Sequence, residues 1–224
     1  MSDTLSSKVL SFYRQLRPTD LPEGIEVMLP FTDAETWRVT EAFYTKYYND
    51  NLPRVFILGI NPGRFGGGVT GIPFTDPIRL ETDCGILNSF TKKQEISSVF
   101  VYEMIQAFGG AEAFYSKFYI NSLYPMALTF KGKNINYYDT PALLAATRQP
   151  IIKNVQTQIG FGLRTDIAIC WGEGKNYNYL QKLNAEFGFF KEVIPLPHPR
   201  FIVQYKRKQM NEYIERYLEL FNKI

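Results

Sequence analysis

Short apolar runs alternate with longer segments of helical periodicity along this chain, and this alternation restricts the fold more than any other feature. Strands that are separated by helices pair in parallel, because the chain must cross back over the sheet before the next strand begins. The crossing helices then cover both faces of the sheet. The pattern predicts an α/β protein with three layers, α/β/α, and a central, mainly parallel sheet of four strands.

The predicted strands are short, rich in β-branched residues and bounded by turn-forming residues. They cover residues 54–60, 118–121, 166–172 and 193–196. The predicted helices carry apolar residues at intervals of three and four, and they cover residues 97–108, 139–159, 174–187 and 206–221. Gly109-Gly110 ends the first of these helices, and Asp139-Thr140-Pro141 begins the second.

Length and hydropathy set the expected organisation of the protein. A chain of 224 residues is typical of one α/β domain, so residues 1–224 are expected to form a single unit, with residues 1–50 as a helical segment packed on it. No apolar run approaches the ~18 residues of a membrane span, and the N-terminus does not resemble a signal peptide. We expect a cytoplasmic, monomeric protein.

The content of histidine and cysteine restricts metal chemistry. The sequence has one histidine, His198, and two cysteines, Cys84 and Cys170, which together cannot supply four soft ligands. A zinc site or an iron–sulfur cluster is therefore not expected, and the cysteines are expected to be reduced thiols. The prediction is a protein without metal or cofactor.

Positive charge is concentrated in two places, although the net charge is only +3. The larger cluster combines four cations with interleaved aromatic and apolar residues and no acid: Arg200, Phe201, Ile202, Tyr205, Lys206, Arg207 and Lys208. Lys131 and Lys133 form a smaller cluster. Such segments occur on solvated helices as well as on nucleic-acid interfaces, and charge alone does not separate these two interpretations.

Polar residues follow three of the predicted strands at their carboxyl ends. Asn61-Pro62-Gly63 follows the first strand, Asn121 ends the second, and His198 follows the last. Ligands of open α/β sheets bind beyond the carboxyl ends of the strands. We therefore expect these residues to meet in a site at one edge of the sheet.

Taken singly, each of these features also has a structural explanation. The glycine-rich segment 63–71 lacks the Gly-Lys-Ser/Thr of a Walker loop, and its Gly-x-Gly-x-x-Gly leads into Ile72-Pro73 rather than into a helix. His198 lies between two prolines, which stiffen its loop, but a lone histidine is as often structural as functional. No nucleophile elbow and no pair of glycosidase carboxylates is evident.

Several segments, taken in order, resemble a known family. Leu58–Gly66 with Thr70–Phe74 is similar to motif 1 of the single-strand-selective monofunctional uracil-DNA glycosylases, which belong to the uracil-DNA glycosylase superfamily. Further similarities follow along the chain: Glu95–Ser98 to a Glu-Val-Ser-Gly stretch, Phe118–Pro125 to a Phe-Val-His-Asn-Leu-Cys-Pro region, and Leu196–Pro199 to motif 2. The resemblance implies a uracil-DNA glycosylase-like fold. It also implies hydrolysis of the N-glycosidic bond of uracil in DNA, the first step of base excision repair.

The resemblance implies roles for two catalytic residues. Asn61 would position the attacking water, and His198 would act on the departing pyrimidine. Negative charge develops on the pyrimidine, largely at O2, as the glycosidic bond breaks, and a hydrogen-bond donor placed there stabilises the transition state. The best-known uracil-DNA glycosylases carry an acid in motif 1, whereas this chain has Asn61. The chemistry is therefore expected to depend more on stabilising the leaving base than on activating water.

The base pocket implied by the resemblance contains four residues. Ile60 and Gly63 would border the base, Phe74 would stack on it, and Asn121 would hydrogen-bond its Watson–Crick edge. A base must leave the duplex to be attacked, and an aromatic ring recovers roughly 1–3 kcal/mol of that cost by stacking. An amide held in one orientation fits the N3–H and O4 of uracil and opposes the reversed pattern of cytosine.

DNA contacts are expected from residues near both motifs: Arg64, Arg200, Phe201, Lys206 and Arg207. Arg64 stands where the family has a proline, and the segment after His198 is shorter than the family's motif 2. Two alternatives stay open: a glycosylase for hydroxymethyluracil or for xanthine and hypoxanthine, and a catalytically silent DNA-binding protein of the same fold. A nucleotide-binding or nucleoside-processing enzyme is a more distant third.

Overall fold

A computed structural model describes residues 3–18 and 20–224. The strands are β1 (Ile25–Met28), β2 (Val55–Gly59), β3 (Phe118–Ser122), β4 (Ala127–Phe130), β5 (Lys133–Asn134), β6 (Ile167–Trp171) and β7 (Glu192–Leu196). The helices are α1 (Leu5–Gln15), α2 (Ala34–Tyr48), α3 (Gly67–Thr70), α4 (Pro77–Thr82), α5 (Ile96–Phe108), α6 (Ala111–Lys117), α7 (Pro141–Ile159), α8 (Lys175–Phe187), α9 (Pro199–Tyr205) and α10 (Met210–Phe221). None of the helices in these residues is long and apolar enough to cross a membrane.

The central sheet has the strand order β3-β2-β6-β7, and all its neighbouring strands are parallel. Every residue of β2, β3 and β6 is buried, as in parallel sheets that are covered on both faces. The register places Gly59 opposite Ser122 and Trp171 opposite Leu196, so the strands end at one common edge. The predicted four-stranded parallel sheet is confirmed.

Helices cover the two faces of this sheet. Successive residues of a strand point to opposite faces, and β3 shows both. The ring of Phe118 packs against Phe108 of α5 and Phe221 of α10. On the other face, the hydroxyl of Tyr119 donates to Gln158 of α7, at 2.9 Å. The fold is the three-layer α/β/α arrangement that the alternation of strands and helices predicts.

The first 50 residues contribute more than the predicted helical segment. Helices α1 and α2 bury apolar side chains such as Val9 and Val39 in the core, but β1 lies between them in sequence. Strand β1 pairs antiparallel with β4, and β4 pairs with β5, to give a second sheet of three strands. This sheet was not predicted, because its pairing joins segments about 100 residues apart that carry no periodic signal of their own.

Helix α9 is a second element that the sequence prediction lacks. The helix predicted over residues 206–221 begins as a short 3₁₀ turn, Arg207–Gln209, and continues as α10. The sequence analysis predicts no helix or strand for the preceding segment, which forms α9 immediately after His198. Pro199 occupies its first turn, where the missing N–H of proline has no helical partner to lose. Because of α9, the side chains that follow His198 project from a helix rather than from a loop.

Candidate active site

A cavity of about 480 Å³ opens at the edge where the strands of the central sheet end. Its lining includes seven of the residues that the sequence predicts for the site: Ile60, Asn61, Gly63, Phe74, His198, Arg200 and Phe201. These residues come from segments up to about 140 positions apart in the chain. The topology therefore joins motif 1 and motif 2 in one site, as expected from the carboxyl ends of parallel strands.

Asn61 is fixed by the backbone of the segment that follows β5. Its amide nitrogen donates to the carbonyl of Ile135 at 3.0 Å, and its amide oxygen accepts from the N–H of Tyr137 at 3.2 Å. Because one bond uses the donor end and the other the acceptor end, the orientation of the amide is defined. One N–H and one lone pair of the side chain are left for a substrate or a water molecule.

His198 is held in a single tautomer by the start of α9. Its Nδ1 accepts a hydrogen bond from the backbone N–H of Arg200 at 3.1 Å and caps the helix. A nitrogen that accepts in this way carries no proton, so the neutral ring has its proton on Nε2. Burial, reinforced by the cation of Arg200, lowers the pKa of His198 from 6.5 to about 4. At neutral pH the site therefore contains an uncharged imidazole with one N–H donor.

Phe74, which also lines the cavity, has an uncommon backbone conformation. Its φ of 56° is in the left-handed region, which a bulky residue adopts only where its surroundings impose it. Its ring meets Trp171 edge-on, with ring centres 4.8 Å apart, and its centre lies 5.7 Å from that of His198. A β-carbon on Gly59 would come within 2.8 Å of this ring. The strained backbone of Phe74 and the absence of a side chain at Gly59 together allow an aromatic ring to lie in the cavity wall.

We call Asn61, Phe74 and His198 the floor of the cavity. Each is held by a contact that is independent of any substrate: two backbone hydrogen bonds, a ring packed on Trp171, and a helix cap. A site of this kind is organised before the substrate binds, which is the condition for electrostatic stabilisation of a transition state.

Asn121 does not line the cavity, and the prediction that it contacts the base is corrected by the structure. Its side chain is 1% exposed and points to the opposite side of β3, where its amide nitrogen donates to Tyr13, Tyr119 and Gln158. Its amide oxygen accepts from the backbone N–H of Ser122. Strand β3 continues through Ser122, so the alternation of side chains places Ser122, rather than Asn121, in the cavity wall.

The comparisons with known proteins agree with this geometry. Residues 45–222 match the model of the uracil DNA glycosylase superfamily. The chain belongs to the uracil-DNA glycosylase superfamily. A search of curated proteins found no match. Among solved structures, the chain is similar to wild-type SMUG2 of Pedobacter heparinus, with 50% sequence identity, a TM-score of 0.96, and coverage of 100% of this chain and 98% of that chain.

Membership of the superfamily confirms the resemblance and the fold expected from the sequence. The enzyme is a DNA glycosylase, a hydrolase that acts on DNA. The motifs that carried the resemblance, around Asn61 and His198, are the ones that the structure brings together in the cavity. The roles assigned to the individual residues stay predictions.

Glu95 is a residue of this glycosylase site that the sequence analysis did not assign. Its carboxyl lines the cavity beside Gly63, and its Oε1 accepts from the hydroxyl of Ser97 at 2.9 Å, whereas its Oε2 is buried without a hydrogen-bond partner among the described residues. Burial raises the pKa of Glu95 from 4.5 to about 7; the nearby Asp76 adds to this rise, and Ser97 and Arg200 oppose it. The segment 95–98 was identified only as a family match, because an isolated glutamate has no pattern of its own.

The outer part of the cavity is formed by side chains of α9. We call Arg200, Phe201 and Tyr205 the rim. Phe201 is 43% exposed and Tyr205 is 67% exposed, and their ring centres are 5.6 Å apart. Exposed aromatic rings and a cation at the mouth of a glycosylase cavity are suited to stacking on bases and to binding phosphate.

The remaining residues predicted to contact DNA lie outside the cavity. Arg64 is partly buried; its guanidinium donates to the carbonyl of Gly132, and its backbone N–H donates to Asn134 Oδ1 at 3.2 Å. Lys206 and Arg207 follow α9 directly and are next to the rim in sequence. Among the described residues, no group of three or more His, Cys, Asp or Glu side chains is arranged to hold a metal ion.

Proposed function

We propose that this enzyme is a monofunctional glycosylase that hydrolyses the N-glycosidic bond of uracil in DNA and thereby initiates base excision repair. One observation carries the proposal: a single cavity contains a neutral imidazole with an N–H donor, a fixed amide and an aromatic ring. These three groups correspond to the needs of the reaction, which are to stabilise the departing base, to position water and to hold the extruded base.

Stabilisation of the departing base is the role of His198 in this proposal. The Nε2–H donates to the pyrimidine O2 as negative charge develops there. A neutral imidazole suits this step because it needs no prior protonation, and the pKa of about 4 keeps it neutral throughout the physiological range. Removing one such preorganised donor typically slows an enzyme by about 10²–10³.

The extruded base is held by Phe74, between Ile60 and Gly63, while Asn61 positions the attacking water. The similarity to the SMUG2 structure, at 50% identity, supports action on DNA but does not indicate which base is released. Arg200, Phe201, Lys206, Arg207 and Arg64 are proposed to bind the DNA around the extruded nucleotide. Their cations would contact phosphates, and the ring of Phe201 would occupy the space that the base leaves.

A second candidate substrate class is the deaminated purines, xanthine and hypoxanthine. The amide that was expected to select uracil, Asn121, lies on the other side of the strand. The cavity therefore lacks one side chain expected to restrict it to a pyrimidine. These purines share with uracil an N–H beside a carbonyl, so the same groups can bind either class.

A panel of oligonucleotides tests the proposal. Single- and double-stranded DNA carrying uracil, hydroxymethyluracil, xanthine or hypoxanthine at one position would be incubated with the enzyme and treated with alkali to cleave abasic sites. We expect cleavage at uracil and none at thymine or cytosine controls. Faster release of xanthine or hypoxanthine than of uracil would favour the second candidate, and release of no base would contradict the proposed function.

A further inference from the structure

Hydrolysis of the glycosidic bond is accelerated by a group that accepts a proton from the attacking water, and this inference rests on the proposed function. The water oxygen forms a bond to the sugar carbon, the bond from that carbon to the base breaks, and its electron pair leaves with the base. The water must lose a proton in this process. A general base that takes this proton in the transition state has to lie in the cavity and hold a free lone pair.

Neither polar residue of the floor can accept this proton. The side chain of Asn61 is an amide, which is not basic, and it already bonds Ile135 and Tyr137. The imidazole of His198 uses its only lone pair at Nδ1 to accept from the N–H of Arg200. Its Nε2 carries a proton and is a donor. A general base would therefore come from elsewhere in the cavity wall.

Glu95 is the only carboxylate among the cavity-lining residues described by the structure. A β-carbon on Gly63 would lie 2.3 Å from its Oε1, and a β-carbon on Gly66 would lie 1.6 Å from its Oε2. The carboxyl thus occupies the space that side chains of the loop after Asn61 would otherwise fill. Motif 1 has an amide where better-known relatives have an acid, and this structure brings a carboxyl to the same loop from the segment before α5.

The groups that face Glu95 set its protonation. Asp76 caps α4 and lies behind the carboxyl, where it accepts from the backbone N–H of Glu95 at 2.8 Å. Ser97 donates to Oε1, and Arg200 approaches from α9. The remaining titratable residues that line the cavity are His198, Tyr138 and Tyr205. With these neighbours and its burial, the carboxyl titrates at about pH 7, where a general base is most effective.

We propose that Glu95 is the general base of this glycosylase. Its Oε1, oriented by Ser97, accepts a proton from the water that Asn61 positions, and the water oxygen bonds to the sugar carbon as the base departs. His198 stabilises the base anion through Nε2–H. The proton then passes from Glu95 to the released base or to solvent, which restores the carboxylate and completes the hydrolysis without any further reactant.

The test is the pH dependence of single-turnover base release from a uracil-containing oligonucleotide, with wild-type enzyme and Glu95→Gln. We expect the wild-type rate to rise about tenfold for each pH unit below about 7 and to level off above it, because only the carboxylate accepts a proton. Glu95→Gln should lower the plateau rate by about 10²–10⁴ and remove the pH dependence. Its binding of the oligonucleotide should stay within about threefold of wild type, since the shape of the side chain is kept.

Two further variants separate a chemical role from a structural one. Glu103→Gln removes the same charge from α5, outside the cavity, and should keep both the rate and the pH profile of the wild type. Ser97→Ala removes the hydroxyl that stabilises the carboxylate, so the midpoint of its pH profile should move to higher pH with a similar plateau. This shift is measurable even where Glu95→Gln does not fold.

Distinct results would overturn this inference and the proposed function. Wild-type enzyme that releases uracil at a rate independent of pH between about 5.5 and 8, or faster at the acid end, would refute Glu95 as the base. A wild-type rate and profile in Glu95→Gln would refute it as well. Enzyme that releases none of the bases in the oligonucleotide panel would instead contradict the proposed function.

Discussion

The floor and the rim of the cavity differ in how they are held, although His198 and Arg200 are only two residues apart. The floor residues are fixed by backbone hydrogen bonds and by packing on Trp171. The rim aromatics, Phe201 and Tyr205, project into solvent from one short helix. This contrast is consistent with the division of work proposed above, in which the preorganised floor performs chemistry and the exposed rim binds DNA.

Among the variants that test the contrast between floor and rim, the largest effect is expected from removing the imidazole of the floor. His198→Ala should lower the single-turnover rate by about 10²–10³ while oligonucleotide binding changes by less than about threefold, because the donor that it removes acts mainly in the transition state. The substitution also removes a helix cap that is worth about 1 kcal/mol. Rate, binding and thermal unfolding should therefore be measured together.

A matched variant separates the two effects in that experiment. His198→Asn keeps a side chain that caps α9 well, so it should recover most of the stability without the wild-type rate. A folded His198→Ala enzyme with an unchanged rate would contradict the role given to the floor.

The next largest effect is expected when two adjacent residues on opposite faces of β3, Asn121 and Ser122, are compared. Asn121→Ala should lower the free energy of unfolding by about 1–3 kcal/mol, because Gln158 and two tyrosine hydroxyls lose a buried partner. Ser122 lies in the cavity wall, so Ser122→Ala should change the relative rates at which the enzyme releases different bases, with little effect on the free energy of unfolding. Thermal melts check the stability of Asn121→Ala, because each kcal/mol of lost stability should lower the melting temperature by about 2–4 °C. The oligonucleotide panel checks base release by Ser122→Ala. A change of base preference in a stable Asn121→Ala enzyme would show that Asn121 reaches the substrate.

A smaller effect is expected from the cations beside the rim. The double variant Lys206→Ala/Arg207→Ala should weaken DNA binding and reduce the slope of log K against log salt by about 0.7–0.9 for each phosphate that the variant no longer neutralises. The rate of the bound complex should stay close to wild type. Lys191→Ala/Lys223→Ala removes two exposed cations near the opposite edge of the sheet and is the matched control. Equal salt slopes for the two double variants would exclude Lys206 and Arg207 from the DNA interface.

The smallest effect is on stability as a function of pH, where two cavity residues act in opposite directions. The pKa of His198 falls from 6.5 to about 4 on folding, so its contribution is lost as pH falls from 6.5 through 4. The pKa of Glu95 rises from 4.5 to about 7, so its contribution is lost as pH rises through 7. Each change should be about 1 kcal/mol, because both residues keep some contact with solvent.

Urea unfolding at several pH values measures these two contributions. Relative to wild type, His198→Asn should gain stability at about pH 4.5 and Glu95→Gln should gain it at about pH 7.5. Stability curves of both variants that run parallel to the wild-type curve would contradict the opposite titrations.

The central sheet and the positions of Asn61 and His198 at its edge were predictable because their signals are local, whereas Phe74 was identified only through the family resemblance. Strand β2 is a short, continuous buried run that is followed by the turn residues Asn61-Pro62-Gly63, and His198 lies between prolines after β7. The assignment of Asn121 to the pocket was wrong because it depends on which face of β3 a single residue occupies, and neighbouring residues face opposite ways. A family motif gives the position in the chain, not this orientation.

Other parts of the site arise from contacts between distant segments and could not be read from one sequence. The segment 135–137 that fixes Asn61 follows a sheet assembled from β1, β4 and β5, which pair across about 100 residues. The pKa of Glu95 is raised by burial and, to a lesser extent, by the nearby Asp76, and both depend on how distant segments pack. The rim residues lie on helix α9, a helix that the sequence analysis does not predict.

The single hydrogen bond between Nδ1 of His198 and the backbone of α9 has a consequence for how the enzyme could discriminate among DNA sites. The atom that sets the tautomer of the imidazole is also the one that starts the helix bearing the rim. A tilt of α9 relative to the loop that carries His198 would therefore turn the ring or break the bond. If α9 binds DNA and His198 donates to the departing base as proposed, a poorly seated substrate would misalign that donor and its base would not be released.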